Sequence, residues 1–419
     1  MFNEDLAAHY LDTFASLSLP DNQSTTKDSG VIRWGMSLLE REAHTFFQEE
    51  MRSLGLDLSV DAAGNSIATL PGSDPDCGAL ACGSHLDSVY RAGRYDGIAG
   101  VIAAMLAARH VVESEERWRH PLSCVVFACE ESARFSQACL GSRLATGLTS
   151  RSDLRRLHDA QGISAEEAMK ECGLCPEEVD EQRWRTEDWE AFLELHIEQG
   201  PRLDEEGVQA GVVEVISGST RLRITLEGIA SHSGGTPMEL RHDALAGAAE
   251  ILRAAEDYAR DAAHPGTRVT CGVIDVEPGG LTTIPGRCSM SIDIRDTSAE
   301  SQRAAREAIE DAVATAAARR GLSATITPLS HVDPEELALG PRQALRNACR
   351  DLGVSFIDLP SGASHDAQIM ARLCPTGMLF IPSLNGGVSH SPDELSRVSD
   401  LVTGARVLHA ALRRLDHGA

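Results

Sequence analysis

The sequence lacks the segments that would direct a protein to or through a membrane. It has no apolar segment near its first residue and no apolar run long enough to span a bilayer. Positive charge is scarce, because 38 lysines and arginines stand against 63 acidic residues, for a formal net charge of -25. Nucleic acid is therefore excluded as an expected partner, since its phosphates require a positive surface.

Disulfide frameworks and sequence repeats are also missing. The eleven cysteines stand singly or in loose pairs, without the regular spacing that disulfide-bonded domains show. Together with the missing secretory segment, this predicts reduced thiols and a cytoplasmic location. The acidic surface could serve an interaction role, but such a charge more commonly serves solubility.

The chain of 419 residues exceeds the usual size of one domain, so two domains are expected. Helical periodicity predicts helices over residues 3–19 and 40–54, with a polar loop from Pro20 to Gly30 between them. Alternating residues from Leu58 to Leu70 predict a hairpin. Apolar runs predict four buried strands, at residues 79–82, 122–129, 192–195 and 377–381. Because helical patterns such as residues 98–112 separate them, we expect an α/β fold with a largely parallel sheet between helices.

A different pattern occupies residues 212–328. It reads as strand, helix, two strands, helix and strand, at residues 221–226, 237–259, 268–276, 287–294, 300–319 and 323–326. This βαββαβ order is typical of a small ferredoxin-like domain. We therefore expect residues 1–211 and 329–419 to form the main domain, with residues 212–328 inserted in it.

Histidines and carboxylates gather where the predicted strands of the main domain end. His85 follows the first buried strand, and Asp96 follows it in a loop with glycines on either side. The later members of the set are Glu130, Glu131, His196 and His390. Ligands bind at the carboxyl ends of parallel strands, and imidazole and carboxylate groups suit zinc. Taken singly, a histidine could equally be a buried residue at a strand end, an aspartate could cap a helix, and the glutamate pair could be a solvated acidic strand end.

The whole set has the size needed for two divalent ions that share one carboxylate. The predicted metal ligands are His85, Asp96, Glu131, His196 and His390, with Asp96 as the shared group. Glu130 is adjacent to Glu131 and points away from it, so we assign Glu130 as the general base. Zinc is the first choice of metal, and manganese or cobalt would accept the same ligands.

Longer motifs surround these residues. They are GSHLDS at 83–88, GRYDG at 93–97, EES.RF at 130–135, HIEQGP at 196–201, SG.SHDA at 361–367 and GVSHSPDE at 387–394. Their order and extent resemble the zinc-dependent amidases of the hydantoinase/carbamoylase family. That family includes N-carbamoyl-L-amino acid hydrolases, β-ureidopropionases and allantoate amidohydrolases, and is related to di-zinc aminoacylases and carboxypeptidases.

The resemblance implies further roles. The inserted domain would form a homodimer and close as a lid, and His232 would reach the partner subunit's active site and stabilise the oxyanion. Arg295 would clamp a substrate carboxylate, while Gln199 and His365 would hydrogen-bond the substrate. Read without the family, His232 is a polar turn residue.

Three pocket positions depart from the family's pattern. Thr282 stands where the family commonly has asparagine, Ser219 where it has glutamine, and Ser364 precedes His365 in place of a smaller residue. We expect these residues to line an altered substrate pocket, because losing two amide groups weakens the preference for a polar ureido group.

The resemblance implies an enzyme that hydrolyses a linear C–N bond of a small carboxylate-bearing molecule, an N-carbamoyl or N-acyl L-amino acid. A dipeptidase or aminoacylase is the alternative among enzymes. A catalytically silent, dimeric ligand-binding protein is the alternative outside them, and its metal content would distinguish it.

Overall fold

The computed structural model describes residues 2–20 and 30–418. These residues divide into two compact units, one with residues up to 214 and from 336 onward, the other with residues 215–335. The helices are α1 (Glu4–Ser16), α2 (Leu38–Ser53), α3 (Ile98–Glu113), α4 (Leu140–Ala145), α5 (Arg151–Leu154), α6 (Ala165–Glu171), α7 (Arg202–Glu206), α8 (Ala244–Arg260), α9 (Ala299–Arg320), α10 (Leu339–Leu352), α11 (Asp366–Met370) and α12 (Val398–Asp416).

The strands are β1 (Asp57–Val60), β2 (Ser66–Leu70), β3 (Ala79–His85), β4 (Leu122–Phe127), β5 (Trp189–Ile197), β6 (Ala210–Ile216), β7 (Gly218–Glu227), β8 (Ser231–His232), β9 (Arg268–Thr270), β10 (Ile274–Glu277), β11 (Thr283–Ile284), β12 (Arg287–Asp296), β13 (Ser323–Val332), β14 (Glu335–Glu336), β15 (Phe356–Ser361) and β16 (Thr376–Ile381).

The large sheet has the strand order β1-β2-β4-β3-β5-β16-β6-β14, and β15 also pairs with β6. Its centre is parallel, because β3 runs parallel to both β4 and β5, and β16 runs parallel to β5. The strands flanking that centre, β2 and β6, are antiparallel to their neighbours. The structure therefore confirms the predicted α/β fold with a largely parallel sheet.

Helix α3 packs against this sheet beside helix α12, which also contacts β3, β5 and β16. Nearly all residues of α3 are buried, which explains why its sequence is apolar all round rather than along one face. It contacts β3, β4, β5, α1 and α12. With 16 residues it is about 24 Å long, so its two ends lie at opposite edges of the sheet.

The first unit follows the predicted elements closely, and β1 and β2 form the predicted antiparallel hairpin. The predicted loop from Pro20 to Gly30 lies mostly outside the described residues. Two details of the inserted region differ. Helix α8 begins at Ala244 rather than at residue 237, because the Asp243 side chain accepts a hydrogen bond from the Ala246 backbone (3.0 Å) and caps the helix. The predicted strand over 268–276 is interrupted, giving β9 and β10.

The second unit is built on a sheet of order β10-β12-β7-β13, with β9 also pairing β12. Strand β7 runs antiparallel to both of its neighbours, β12 and β13, and α8 and α9 pack together over a shared apolar core. Strands β8 and β11 pair separately. A lid or dimerisation role for this unit stays a prediction. Among the described residues, no helix has the length and apolar character that crossing a membrane requires.

Candidate metal centre

Three neighbouring parallel strands end at the same edge of the large sheet and bring polar side chains there. His85 is the last residue of β3 and pairs with Phe127, the last residue of β4. Glu130 and Glu131 follow β4 directly, and His196 is the second-last residue of β5. This edge is where open parallel sheets bind their ligands.

The five predicted metal ligands come together as two groups. In the first group, Asp96 Oδ1 lies 3.1 Å from His196 Nε2 and 3.7 Å from His85 Nε2. In the second, His390 Nε2 lies 3.2 Å from Asp96 Oδ2 and 3.4 Å from Glu131 Oε1. Within each group the ligating atoms lie within 4.8 Å of one another. Asp96 belongs to both groups and presents one oxygen to each, so the arrangement suits two cations with one shared carboxylate.

An oxygen of Glu131 shows that the site suits a cation. Glu131 Oε1 is buried and has no hydrogen-bond partner among the described residues. Burial, with the nearby Asp96 carboxylate adding to it, raises the pKa of Glu131 to about 7. An unpartnered buried oxygen is costly, and coordination of a cation would satisfy it.

Histidines and carboxylates shift one another's protonation. Burial alone would raise the pKa of Asp96, but hydrogen bonds with His196 and His390 hold that pKa well below its usual value. Burial alone would lower the pKa of His85, but its contact with Asp87 helps to raise that pKa well above its usual value. The site thus concentrates negative charge, which attracts a cation.

Glu130 stands beside the two groups without belonging to either. Its Oε2 lies 3.8 Å from His85 Nε2, and its Oε1 accepts a hydrogen bond from the Cys139 thiol at 3.2 Å. Burial, with the neighbouring Glu131 carboxylate adding to it, raises the pKa of Glu130 well above its usual value. A buried carboxyl group beside the two ligand groups is placed to accept and return a proton.

Asp87 holds three of these residues in place at once. Its two carboxylate oxygens accept hydrogen bonds from the backbone N–H groups of Glu130 (2.8 Å) and Glu131 (3.0 Å). The Asp87 backbone oxygen lies 3.2 Å from His85 Nδ1, and Asp87 Oδ1 lies 3.4 Å from the same nitrogen. Asp87 therefore couples the end of β3 to the segment after β4.

Several further residues hold Asp96, and only some of them had been expected. Gln199, predicted to bind substrate, donates from Nε2 to Asp96 Oδ2 at 2.9 Å. Ser389 Oγ lies 3.2 Å from the same oxygen. Glu394 accepts hydrogen bonds from the backbone N–H groups of Tyr95 and Asp96, at 2.9 and 3.1 Å. Ser389 and Glu394 lie in the GVSHSPDE motif, so that motif is the sequence signal that could have identified them as site residues. No sequence signal identified Cys139.

Unusual backbone conformations concentrate around the centre. Cys129, Cys139, Gln199 and His390 all have left-handed φ values, of 52°, 55°, 54° and 55°. Gly97 has φ 68°, and a Cβ at its position would lie 2.5 Å from the His85 ring. Non-glycine residues in this conformation cost energy and are enriched at functional sites.

The SGASHDA segment lies close to the centre. His365 is buried, its Nε2 lies 2.8 Å from Ser361 Oγ, and its ring centre is 4.6 Å from that of His196. Ser364, immediately before it, is half-buried. Their predicted contacts with a substrate stay predictions.

The second unit carries the remaining predicted site residues, at two separate places. His232 is exposed, pairs with Thr283 and accepts hydrogen bonds at Nδ1 from two backbone N–H groups, each at 3.0 Å. Thr282 is exposed, and its backbone oxygen accepts from the Ser233 N–H at 2.9 Å. Because His232 Nδ1 is an acceptor, Nε2 is the nitrogen left to donate a hydrogen bond.

Ser219 and Arg295 lie together in the larger sheet of this unit, where β7 begins and β12 ends. The two residues are paired across these strands. Arg295 Nε lies 3.1 Å from Asp293 Oδ2. Strand β12 begins at Arg287, shortly after β11, which is the strand that pairs with His232. Arg295 lies eight residues after Arg287 along β12, a distance of about 26 Å. The structure thus brings the four residues together in two pairs and keeps the pairs apart.

Known proteins resemble this chain over almost its full length. A model of peptidase family M20/M25/M40 matches residues 81–414. The chain is 39% identical over 390 residues to the N-carbamoyl-L-amino acid amidohydrolase of Geobacillus stearothermophilus, with 93% of this chain and 94% of that protein covered. It is 36% identical over 392 residues to the allantoate amidohydrolase of Bacillus subtilis, with 93% of each covered. The crystal structure of an amidase of the hydantoinase/carbamoylase family from Burkholderia multivorans superposes with a TM-score of 0.86 at 29% identity, covering 99% of this chain and 98% of that one.

Proposed function

Because the chain belongs to peptidase family M20/M25/M40, we propose that it hydrolyses the ureido or amide C–N bond of an N-carbamoyl or N-acyl L-amino acid. The protein is an amidohydrolase that acts on C–N bonds of small, linear, non-peptide amides. The observation that carries the proposal is the pair of ligand groups that share Asp96. A protein that only bound its ligand would have no use for two such groups beside a buried glutamate.

The proposed cofactor is a pair of divalent ions, with zinc as the first choice and manganese or cobalt as alternatives. His85, Asp96 and His196 would hold one ion, and Asp96, Glu131 and His390 the other. When bound, such ions supply Lewis-acid chemistry, which polarises a carbonyl group and lowers the pKa of water. The unpartnered Glu131 oxygen supports this assignment.

Glu130 is the proposed carrier of the proton. Its Oε1 is held by the Cys139 thiol, so Oε2 is the atom free to accept a proton from the attacking water. Water adds to the carbonyl carbon, and the C–N bond then breaks. The same Glu130 oxygen returns the proton to the departing nitrogen, which leaves the glutamate as it began.

The second unit supports a homodimer. His232 pairs with Thr283, close in the chain to the start of β12, whereas Arg295 lies near the end of β12, about 26 Å of strand further on, so we infer that they do not both contact one amino-acid-sized substrate molecule. We therefore assign the two residues to two different substrate molecules, with His232 donating from Nε2 to the oxyanion in the partner subunit's site. Arg295 would bind the substrate carboxylate through its guanidinium group.

Specificity is proposed to lie in the altered pocket positions. Thr282 and Ser219 carry short hydroxyl groups where amide side chains are usual, and Ser364 is larger than the usual small residue. A shorter hydroxyl leaves room for a larger acyl group and offers fewer hydrogen bonds to a terminal urea. An N-acyl substrate is therefore proposed alongside the N-carbamoyl class. The cytoplasmic location remains a prediction.

The test is hydrolysis of a panel of N-carbamoyl and N-acyl L-amino acids and dipeptides by zinc-loaded protein. Glu130→Gln should lower kcat about a hundredfold or more, because it removes the proton acceptor while retaining the size of the side chain. Glu190→Gln, at an exposed position of β5, is the matched control and should retain full activity. Turnover of dipeptides alone would refute the proposed substrate class, and equal rates for Glu130→Gln and the wild type would refute the role of Glu130.

A further inference from the structure

A second group of potential metal ligands lies apart from the catalytic residues. It consists of His110 near the end of α3, Glu116 just beyond that helix, and His409 in α12. The ligating atoms of the three residues lie within 4.8 Å of one another. His409 Nε2 is 3.0 Å from Glu116 Oε2, and His110 Nε2 is 3.8 Å from Glu116 Oε1. Two imidazoles thus face the two oxygens of one carboxylate.

This group shares no residue with the candidate catalytic centre. Ile98 begins α3 two residues after Asp96, and His110 lies twelve residues further along the helix, or about 18 Å. The two groups therefore lie at opposite ends of α3. Whatever His110, Glu116 and His409 bind would occupy a separate site.

The donor set matches zinc in type and spacing. Zinc binds imidazole nitrogen and carboxylate oxygen at about 2.0–2.2 Å, so neighbouring donors of a tetrahedral site stand about 3.3 Å apart. The distances from His409 to one Glu116 oxygen and from His110 to the other, 3.0 and 3.8 Å, lie on either side of that value, and one donor atom from each residue lies within 4.8 Å of the others. We propose that His110, Glu116 and His409 form a zinc-binding site.

Neighbouring side chains hold the three donors in position. The Trp118 indole N–H donates to Glu116 Oε2 at 2.9 Å. The Phe2 ring stacks on His110 with the ring centres 4.7 Å apart, and its edge meets His409 at 5.8 Å. The two imidazole rings meet edge to face at 4.7 Å. Such surrounding contacts orient metal ligands and limit their rotation.

A cavity beside the group leaves a fourth coordination position open. The cavity has a volume of about 610 Å³, and His110, His409, Phe2 and Arg406 are among its lining residues. Three protein ligands with an accessible fourth position are a common arrangement for zinc. Water or a small anion would complete the coordination, and the nearby arginine favours an anion.

Three arginines, Arg406, Arg413 and Arg414, line the cavity and oppose the ion, and Arg414 is paired with Asp351. Arg413 Nη1 lies 4.0 Å from Glu116 Oε1, although the Arg413 side chain is 57% exposed. Because solvent screens so exposed a charge, Arg413 weakens zinc binding without preventing it. Zinc at this site would join α12 to α3 and so stabilise the first unit.

The test measures zinc bound per chain after equilibrium dialysis against buffered micromolar zinc. The quantity compared is the difference in bound zinc per chain between the wild type and each variant. This difference does not depend on how many ions the catalytic centre holds. His409→Gln and His110→Gln should each bind one zinc ion fewer than the wild type. His417→Gln, at an exposed position in the same cavity, is the control and should lose none.

A second measurement uses stability in place of stoichiometry. Zinc should raise the Tm of the wild type by more than it raises the Tm of either variant, and Arg413→Gln should increase the affinity several-fold by removing one opposing charge. His110 is partly exposed, so His110→Gln keeps the test valid if His409→Gln fails to fold. Equal zinc content in the wild type and a folded His110→Gln variant would overturn the proposal.

Discussion

The Cys139 thiol donates a hydrogen bond to Glu130 Oε1 at 3.2 Å, and both side chains are buried. The bond fixes one oxygen of the proposed general base and leaves the other directed toward His85. The same two residues are also joined through the backbone, where the Cys139 N–H donates to the Glu130 carbonyl at 2.6 Å. Cys139 is therefore a positioning residue for Glu130.

Removing this thiol should slow catalysis without emptying the metal site. Cys139→Ala should lower kcat about three- to tenfold, since an S–H donor to a carboxylate contributes about 1 kcal/mol. Cys139→Ser retains a donor and should recover most of the rate. Steady-state kinetics on both variants provide the check, with KM expected to change little. A serine variant as slow as the alanine variant would indicate a packing role.

Asp87→Asn should disturb the candidate metal centre, because it removes a hydrogen bond to the backbone of Glu130 or Glu131. The asparagine side chain has one acceptor oxygen, so its NH₂ group would face one of the two N–H groups that Asp87 now binds. We expect about 2 kcal/mol of lost stability and a reduced metal content. Urea unfolding and metal analysis measure the two effects. Asp76→Asn, at an exposed position, is the control and should change neither.

The buried imidazole of His44 predicts how stability depends on pH. Burial lowers the pKa of His44 well below the unfolded value of 6.5, so the unfolded chain binds a proton that the folded chain does not. Stability from this group is complete above pH 6.5 and decreases as the pH falls below it, by up to about 1.4 kcal/mol per pH unit. The measurement is the free energy of unfolding at several pH values between about 7.5 and about 5.5. His44→Gln should show a smaller loss over the same range, and an unchanged slope would contradict the assignment.

Mixing two inactive variants tests whether His232 acts on the partner subunit. Glu130→Gln and His232→Gln should each be inactive or slow as homodimers. In a mixed dimer, one site combines an intact Glu130 with an intact His232 from the other chain. Random mixing should therefore restore about a quarter of wild-type activity. No recovery in a mixture shown to contain mixed dimers would mean that His232 serves its own chain's site.

Most of the fold and the meeting of the candidate ligand residues could be predicted because the signals are local. Each ligand follows an apolar strand, and parallel strands place their carboxyl ends at one edge, so His85, Glu131 and His196 were expected to meet. The start of α8 was misplaced because Asp243, rather than the earlier Pro237, caps the helix.

Contacts made by residues distant in sequence could not be predicted in the same way. Glu394 accepts hydrogen bonds from the backbone N–H groups of Tyr95 and Asp96, which lie 299 and 298 residues earlier in the chain. Cys139 reaches Glu130 only because the chain adopts left-handed backbone conformations at Cys129 and Cys139. No periodicity or motif encodes such a turn at a cysteine.

The central claim is that Asp96 is shared by two metal ions, and metal content measures it most directly. The wild type, Asp96→Asn and Glu131→Gln should each be loaded with zinc and dialysed, and the zinc bound per chain should be measured by mass spectrometry. A check that each variant is folded is the control. We expect Asp96→Asn to lose two ions per chain and Glu131→Gln to lose one, because Asp96 belongs to both ligand groups and Glu131 to one. Equal losses from the two variants, or a loss of only one ion from Asp96→Asn, would contradict the shared carboxylate.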